Sequence, residues 1–143
     1  MKFSTTIAIA GLMAAPALAD GHADVEAGLS AFKQCQACHV VQDGDGNTLA
    51  GRNGKTGPNL YGVIGRAAGS VEGFRYRKSI VEAGEKGLVW DTDNIVAYVQ
   101  DPTGFLREFL DDSKARSGMS FRVRKEEDAV NLAAFLATAV PDS

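Results

Sequence analysis

Apolar residues recur at helical spacing in several stretches of this chain, and patterns of strand alternation are almost absent. Val25, Leu29 and Phe32, with small Gly28 and Ala31 between them, predict a helix over 24–34. A short helix is expected over 77–83. A better one runs over 92–100, where Thr92 can cap and Ile95, Val96 and Val99 make an apolar face. Phe105, Leu106 and Phe109 mark a further short helix over 102–110. The last helix, over 125–139, carries Val130, Leu132, Ala133, Phe135 and Leu136. Between these stretches lie a turn-rich loop, Asp43-Gly44-Asp45-Gly46-Asn47, and a run over 51–73 with seven glycines, one proline and no sustained period. Repeats and low-complexity tracts are absent from the sequence. The pattern predicts an all-α protein of short helices and long loops, an arrangement that only a central ligand could organise.

The N-terminus has a different composition. Lys2, the apolar run Ile7 to Ala15, and Ala17-Leu18-Ala19 have the order of a secretory signal peptide with an A-x-A cleavage site. The apolar run is too short to span a bilayer, so an uncleaved anchor is the weaker reading. Residues 1–19 are expected to be removed, leaving 20–143 as one domain outside the cytoplasm, in the periplasm. The formal net charge is −3, and loss of Lys2 takes it to about −4. That balance gives no net basic footprint for nucleic acid, although it permits a local basic patch.

Candidate chemistry concentrates in Cys35-Gln36-Ala37-Cys38-His39. Cys-x-x-Cys-His is the attachment site of c-type haem: two thiols bond the vinyl groups and the adjoining histidine reaches the iron. A redox dithiol would need a βαβ context, which the pattern lacks. A structural zinc site needs about four Cys/His ligands, and the chain has two cysteines and two histidines. A covalent haem c with His39 as one iron ligand is the reading of choice. For the opposite face, Met119 is the only methionine outside the leader, in the glycine-containing segment Ser117-Gly118-Met119-Ser120-Phe121. A thioether there would raise the haem potential. His22, near the expected mature end, is the rival ligand, and Met119 as core filler is the bland alternative.

Several ordered motifs then carry a resemblance. Gly28-x-x-x-Phe32, the haem motif, Thr56-Gly57-Pro58-Asn59-Leu60, Gly65-Arg66, Gly87-Leu88-Val89-Trp90, Tyr98-x-x-x-Pro102 and Met119-x-Phe121 span nearly all of 24–139. In this order the chain resembles the class I cytochromes c, and most closely the bacterial cytochromes c2. The resemblance implies the small cytochrome c-type fold, with short helices and long loops wrapped around one haem. It implies that the Pro58 carbonyl orients His39 through Nδ1. It implies that Arg66, Tyr76 and Trp90 hydrogen-bond the haem propionates, that the Tyr98 hydroxyl contacts the methionine sulfur, and that Phe121 shields the haem edge. Gly28 and Phe32 would pack the first helix on Leu132 and Phe135 of the last. The chain departs from the shortest members in its longer 43–53 and 103–118 loops, and its lysine pair before the methionine is thinned to Lys114 and Arg116.

The function expected from this resemblance is that of a diffusible one-electron carrier, not an enzyme, and a monomer not embedded in a membrane. Its implied electron donor is a cytochrome bc complex, and its acceptor a photosynthetic reaction centre or a terminal oxidase. Docking would be transient and electrostatic, with Lys33, Lys55, Lys114, Arg116, Arg122, Arg124 and Lys125 as candidate cations. Two rivals need an open or labile sixth iron position: a peroxidase or nitrite-handling enzyme, and a gas-sensing module.

Overall fold

The computed structural model describes residues 22–141. The expected signal peptide and its cleavage site lie outside the described residues. Five helices and one hairpin follow in order: α1 (Val25–Ala31), β1 (Val40–Gln42), β2 (Thr48–Gly51), α2 (Lys78–Glu85), α3 (Thr92–Gln100), α4 (Pro102–Leu110) and α5 (Glu126–Thr138). The all-α architecture expected from the pattern is present, with a minor sheet added. No described helix is long and apolar enough to cross a membrane.

The crossing of α1 on α5 is the central packing event. Gly28 sits so close to α5 that a Cβ there would run into the Asn131 carbonyl and lie 2.7 Å from Phe135 Cβ. Only a residue without a side chain permits that approach. Below the crossing, the rings of Phe32 and Phe135 meet edge to face at 6.0 Å. Above it, Asn131 Oδ1 accepts the Asp24 N–H at 2.8 Å, while the Asp24 carboxylate caps α1 by accepting from Glu26 and Ala27. Helix α3 packs on the same α5, and α4 packs on α3 and α2. Phe32, Val41, Leu88, Leu106, Val123, Leu132 and Leu136 are fully buried among these elements.

Four local expectations are corrected. The first helix is α-helical only to Ala31, and Phe32–Gln34 tighten into a 3-10 turn that leads into the cysteines. The second helix is Lys78–Glu85, displaced toward the C-terminus from 77–83. Asp91, and not Thr92, caps α3: its carboxylate accepts the Asn94 N–H at 2.7 Å. The turn-rich loop closes a hairpin, because the Asp43 carboxylate accepts from the Asp45 and Asn47 backbones at 3.0 and 2.8 Å. Its strands pair Val40 with Gly51 and Val41 with Ala50, and the register slips before Gln42.

The glycine-rich loop is fixed by backbone bonds rather than by secondary structure. Gly57 N–H donates to Cys38 O, Leu60 to Val40 O, Gly65 to Trp90 O, Ala68 to Leu88 O, and Gly62 to Ala139 O. Each bond ties the loop to a different part of the frame, so it wraps the core instead of leaving it.

Candidate cofactor site

The 3-10 turn after α1 delivers the two thiols. The Cys38 and His39 N–H groups both donate to Cys35 O, at 3.1 and 3.0 Å, which winds the segment tightly. Cys35 and Cys38 are not paired in a disulfide. Cys35 is buried, and that burial, with Cys38 beside it, pushes its thiol pKa up to about 11.

His39 is held on three sides. Its Nδ1 donates to the Pro58 carbonyl at 2.8 Å, which fixes the tautomer and leaves Nε2 with a free lone pair. Burial lowers its pKa, and the Pro58 bond opposes that shift in part. Gly57 lies flat against the ring: a Cβ there would fall 2.6 Å from both Nδ1 and Nε2. Gly54 stands equally close to the His39 backbone, with a Cβ 2.6 Å from its nitrogen. The sequence motif contained Gly57, yet nothing in the sequence singled out either glycine as the wall of this imidazole.

Trp90, Tyr98 and Phe105 form an aromatic cluster. Ring centroids lie 5.0 Å apart for Trp90 and Tyr98, 5.7 Å for Tyr98 and Phe105, and 6.1 Å for Trp90 and Phe105. Met119 is half-buried and is one of the side chains packed against the main hydrophobic core. Its backbone N–H donates to Ser117 Oγ at 2.9 Å, and the Tyr98 hydroxyl lies 2.7 Å from the same oxygen. Tyr98 therefore reaches Met119 through its backbone and Ser117; the hydroxyl's hydrogen bond does not go to the sulfur. Burial raises the Tyr98 pKa, and the Ser117 bond lowers it in part.

Arg66 is half-buried. Nη1 donates to Tyr61 O at 2.9 Å and Nη2 to Asn59 O at 3.0 Å, and no carboxylate among the described residues pairs with it. Burial draws its pKa down, while nearby Tyr76 holds it up. Tyr76 has its own pKa raised by burial, and its hydroxyl accepts the Val71 N–H at 3.3 Å. Trp90 is buried, and its backbone N–H donates to Arg66 O at 3.0 Å, which sets its indole beside Arg66. A guanidinium without a counter-anion, beside a phenol and an indole N–H, suits a ligand that brings carboxylates. Phe121 is exposed, and His22 is exposed at the start of the described chain.

All seven candidate docking cations are exposed, but Arg122 is already held by Asp101 at 2.8 Å. Two cysteines three residues apart, followed by an imidazole whose Nδ1 is committed to Pro58 O in an all-α frame, fit a c-type haem protein.

The comparisons specify which. No family model matches the chain. Cytochrome c2 of Rhodovulum adriaticum is 59% identical over 119 residues, covering 83% of this chain and 94% of that protein. Cytochrome c2 of Cereibacter sphaeroides is 54% identical over 139 residues, covering 95% of each. The fold matches the crystal structure of cytochrome c2 from Rhodobacter sphaeroides with a TM-score of 0.82, at 54% identity, over 85% of this chain and all of that one. The chain belongs to the cytochrome c2 family. It carries one covalent haem c and serves as an electron carrier.

Proposed function

We propose that this chain is a soluble, monomeric periplasmic shuttle that takes electrons from a cytochrome bc complex and delivers them to a photosynthetic reaction centre, a terminal oxidase, or both. Residues 1–19 direct export and are removed. Cys35 and Cys38 hold the haem through thioethers. His39 Nε2 and the Met119 sulfur would ligate its iron, and Arg66, Tyr76 and Trp90 would bind its propionates. When bound, the haem supplies one-electron ferric/ferrous chemistry.

The observation that carries this reading is the bond from His39 Nδ1 to Pro58 O at 2.8 Å, next in the chain to Cys35 and Cys38. It commits one ring nitrogen to the protein and leaves the other free for a metal, in a tautomer that does not change with oxidation state. The Gly57 wall and the Met119–Ser117–Tyr98 link support a geometry held rigid on both sides, which keeps reorganisation small as an electron enters and leaves. Ligation by both His39 and Met119 would leave the iron no open position for a substrate, which supports a carrier of electrons over an enzyme.

Flash-induced oxidation of the reduced protein by membranes from its own source, with oxidase activity measured in parallel, tests the assignment of acceptors. Carbon monoxide tests the ligation. The reduced protein is expected to resist carbon monoxide at neutral pH, and rapid stoichiometric binding would overturn the shuttle in favour of a haem enzyme.

A further inference from the structure

The chain has two histidines, and the haem reading gives a task to only one of them. His39 Nδ1 is committed to Pro58 O. His22 is exposed, and neither its ring nor its backbone N–H makes a hydrogen bond or an ion pair among the described residues. The fold anchors the chain just after it. The Asp24 N–H donates to Asn131 Oδ1 at 2.8 Å, and the Asp24 carboxylate is taken up in capping α1. Because α1 begins at Val25, its hydrogen bonding makes no claim on the backbone nitrogens before Asp24. An imidazole and its own peptide nitrogen are thus left open to solvent at the edge of a fixed helix.

The place of His22 in the sequence gives that opening a chemistry. Cleavage after Ala17-Leu18-Ala19 makes Asp20-Gly21-His22 the start of the mature chain. Asp20 and Gly21 lie outside the described residues and enter through their chemistry. A free α-amine, two peptide nitrogens and the Nδ1 of a histidine in third position follow one another along the chain. Around a single ion they close two five-membered chelate rings and one six-membered ring, a planar set of four nitrogens. Neither Gly21 nor His22 is a proline, so each peptide nitrogen carries a proton that a metal can displace. An N-terminal aspartate, unlike a glutamine, does not cyclise onto its own amine. Asp20, Asp24 and Glu26 add negative charge, and no lysine or arginine lies between Lys2 and Lys33.

We propose that the mature N-terminus, Asp20-Gly21-His22, binds one copper(II) ion in a square plane formed by the Asp20 amine, the Gly21 and His22 peptide nitrogens and His22 Nδ1. This rests on the export and removal of residues 1–19 proposed above, and not on the carrier function. Square-planar nitrogen donors select copper(II) or nickel(II), and copper(II) is the more tightly bound of the two. Zinc favours a tetrahedron and fits the plane poorly. Binding displaces the two peptide protons, together with any proton on the amine or the imidazole, so it strengthens as pH rises. No group of three or more histidine, cysteine, aspartate or glutamate side chains among the described residues could hold a metal, so the terminus has no competitor of that kind there.

The test uses the haem-loaded protein exported and processed by its own source. N-terminal sequencing and intact mass identify its first residue. Copper(II) is then added, and gel filtration removes the excess. The expected result is Asp20 as first residue, one copper retained per chain in the presence of equimolar zinc(II), and an electron paramagnetic resonance spectrum split by four nitrogens. His22→Ala and Gly21→Pro, each checked for the same first residue, are both expected to lose that copper. Gly21→Pro is the sharper variant, because it keeps the amine and the imidazole and removes only one displaceable peptide proton. Haem absorbance and reduction potential check that both variants fold. A first residue other than Asp20 would overturn the site together with the placing of the cleavage. With Asp20 first, failure of the parent to retain copper would overturn the site and leave the export reading intact. Retention by Gly21→Pro with an unchanged spectrum would show a surface histidine acting alone, and would also overturn the proposal.

Discussion

The hydroxyl of Tyr98 lies 2.7 Å from Ser117 Oγ, and that oxygen also accepts the Met119 N–H at 2.9 Å. One serine thus couples helix α3 to the segment that presents the methionine. Ser117→Ala leaves a half-buried phenol and a backbone N–H without their partner, at a cost of about 1–3 kcal/mol. Guanidinium unfolding of the haem-loaded protein measures it. Carbon monoxide binding to the reduced form is expected to accelerate, because the Met119 segment opens more easily. Tyr98→Phe removes the same bond from the other end, so the double variant is expected to lose less than the two single losses combined. Full additivity would mean that the two residues act separately.

A second expectation concerns the wall of the imidazole. A Cβ at Gly57 would fall 2.6 Å from His39 Nδ1 and Nε2, well inside any real contact. Gly57→Ala must push the ring off the Pro58 carbonyl or displace the loop. Overpacking of this kind costs about 1–3 kcal/mol. The absorbance spectrum is expected to report weakened histidine ligation. Gly44→Ala is the control, because a Cβ there meets nothing within 4 Å, and it is expected to stay within about 0.5 kcal/mol of the parent. Equal effects at the two positions would remove Gly57 from the site.

How much of this was readable beforehand differs by element, for physical reasons. Helices α3 and α4 follow their expected bounds because apolar periodicity and a first-turn proline mark them in the sequence. The cap of α3 was misplaced by one residue because Asp91 and Thr92 are both good capping types; only the geometry selects between them. The hairpin was hidden because strands of three and four residues with a slipped register are too short to display alternation. The thiols and His39 were legible because covalent attachment demands a fixed spacing. Gly57 was not singled out, because the seven glycines of its stretch look alike until tertiary contact shows which one faces the ring. The pairing of Arg122 with Asp101 spans twenty-one positions and carries no sequence signal.

Tyr98 also sets a limit on alkaline stability. Burial raises its pKa above the ordinary value of 10.0. The neutral phenol is therefore favoured in the folded chain, and this contribution is complete below pH 10. As pH rises past 10 toward the folded value, the unfolded state loses its proton first, and the contribution declines. The folded protein is expected to lose stability in that window, and Tyr98→Phe is expected to flatten the loss. Phenolate absorbance followed beside denaturant unfolding checks both parts. An unchanged slope in Tyr98→Phe would assign the alkaline loss to other groups.

Arg66 allows charge and structure to be separated at one residue. Its guanidinium bridges Asn59 O and Tyr61 O at 3.0 and 2.9 Å, so any replacement that loses the fork leaves two carbonyls without donors. Arg66→Lys and Arg66→Gln should therefore both lower stability, by about 1–3 kcal/mol. Their electrostatic consequences differ. A fixed positive charge near the haem disfavours the ferric form, so removing it lets the iron keep its extra charge more readily. Arg66→Gln is expected to lower the reduction potential by an amount on the order of tens of millivolts. Arg66→Lys keeps the charge and is expected to stay close to the parent potential. Spectroelectrochemical titration at constant ionic strength distinguishes the two. If lysine and glutamine lower the potential equally, Arg66 acts through its carbonyl bonds alone, and its role as partner of the propionates falls.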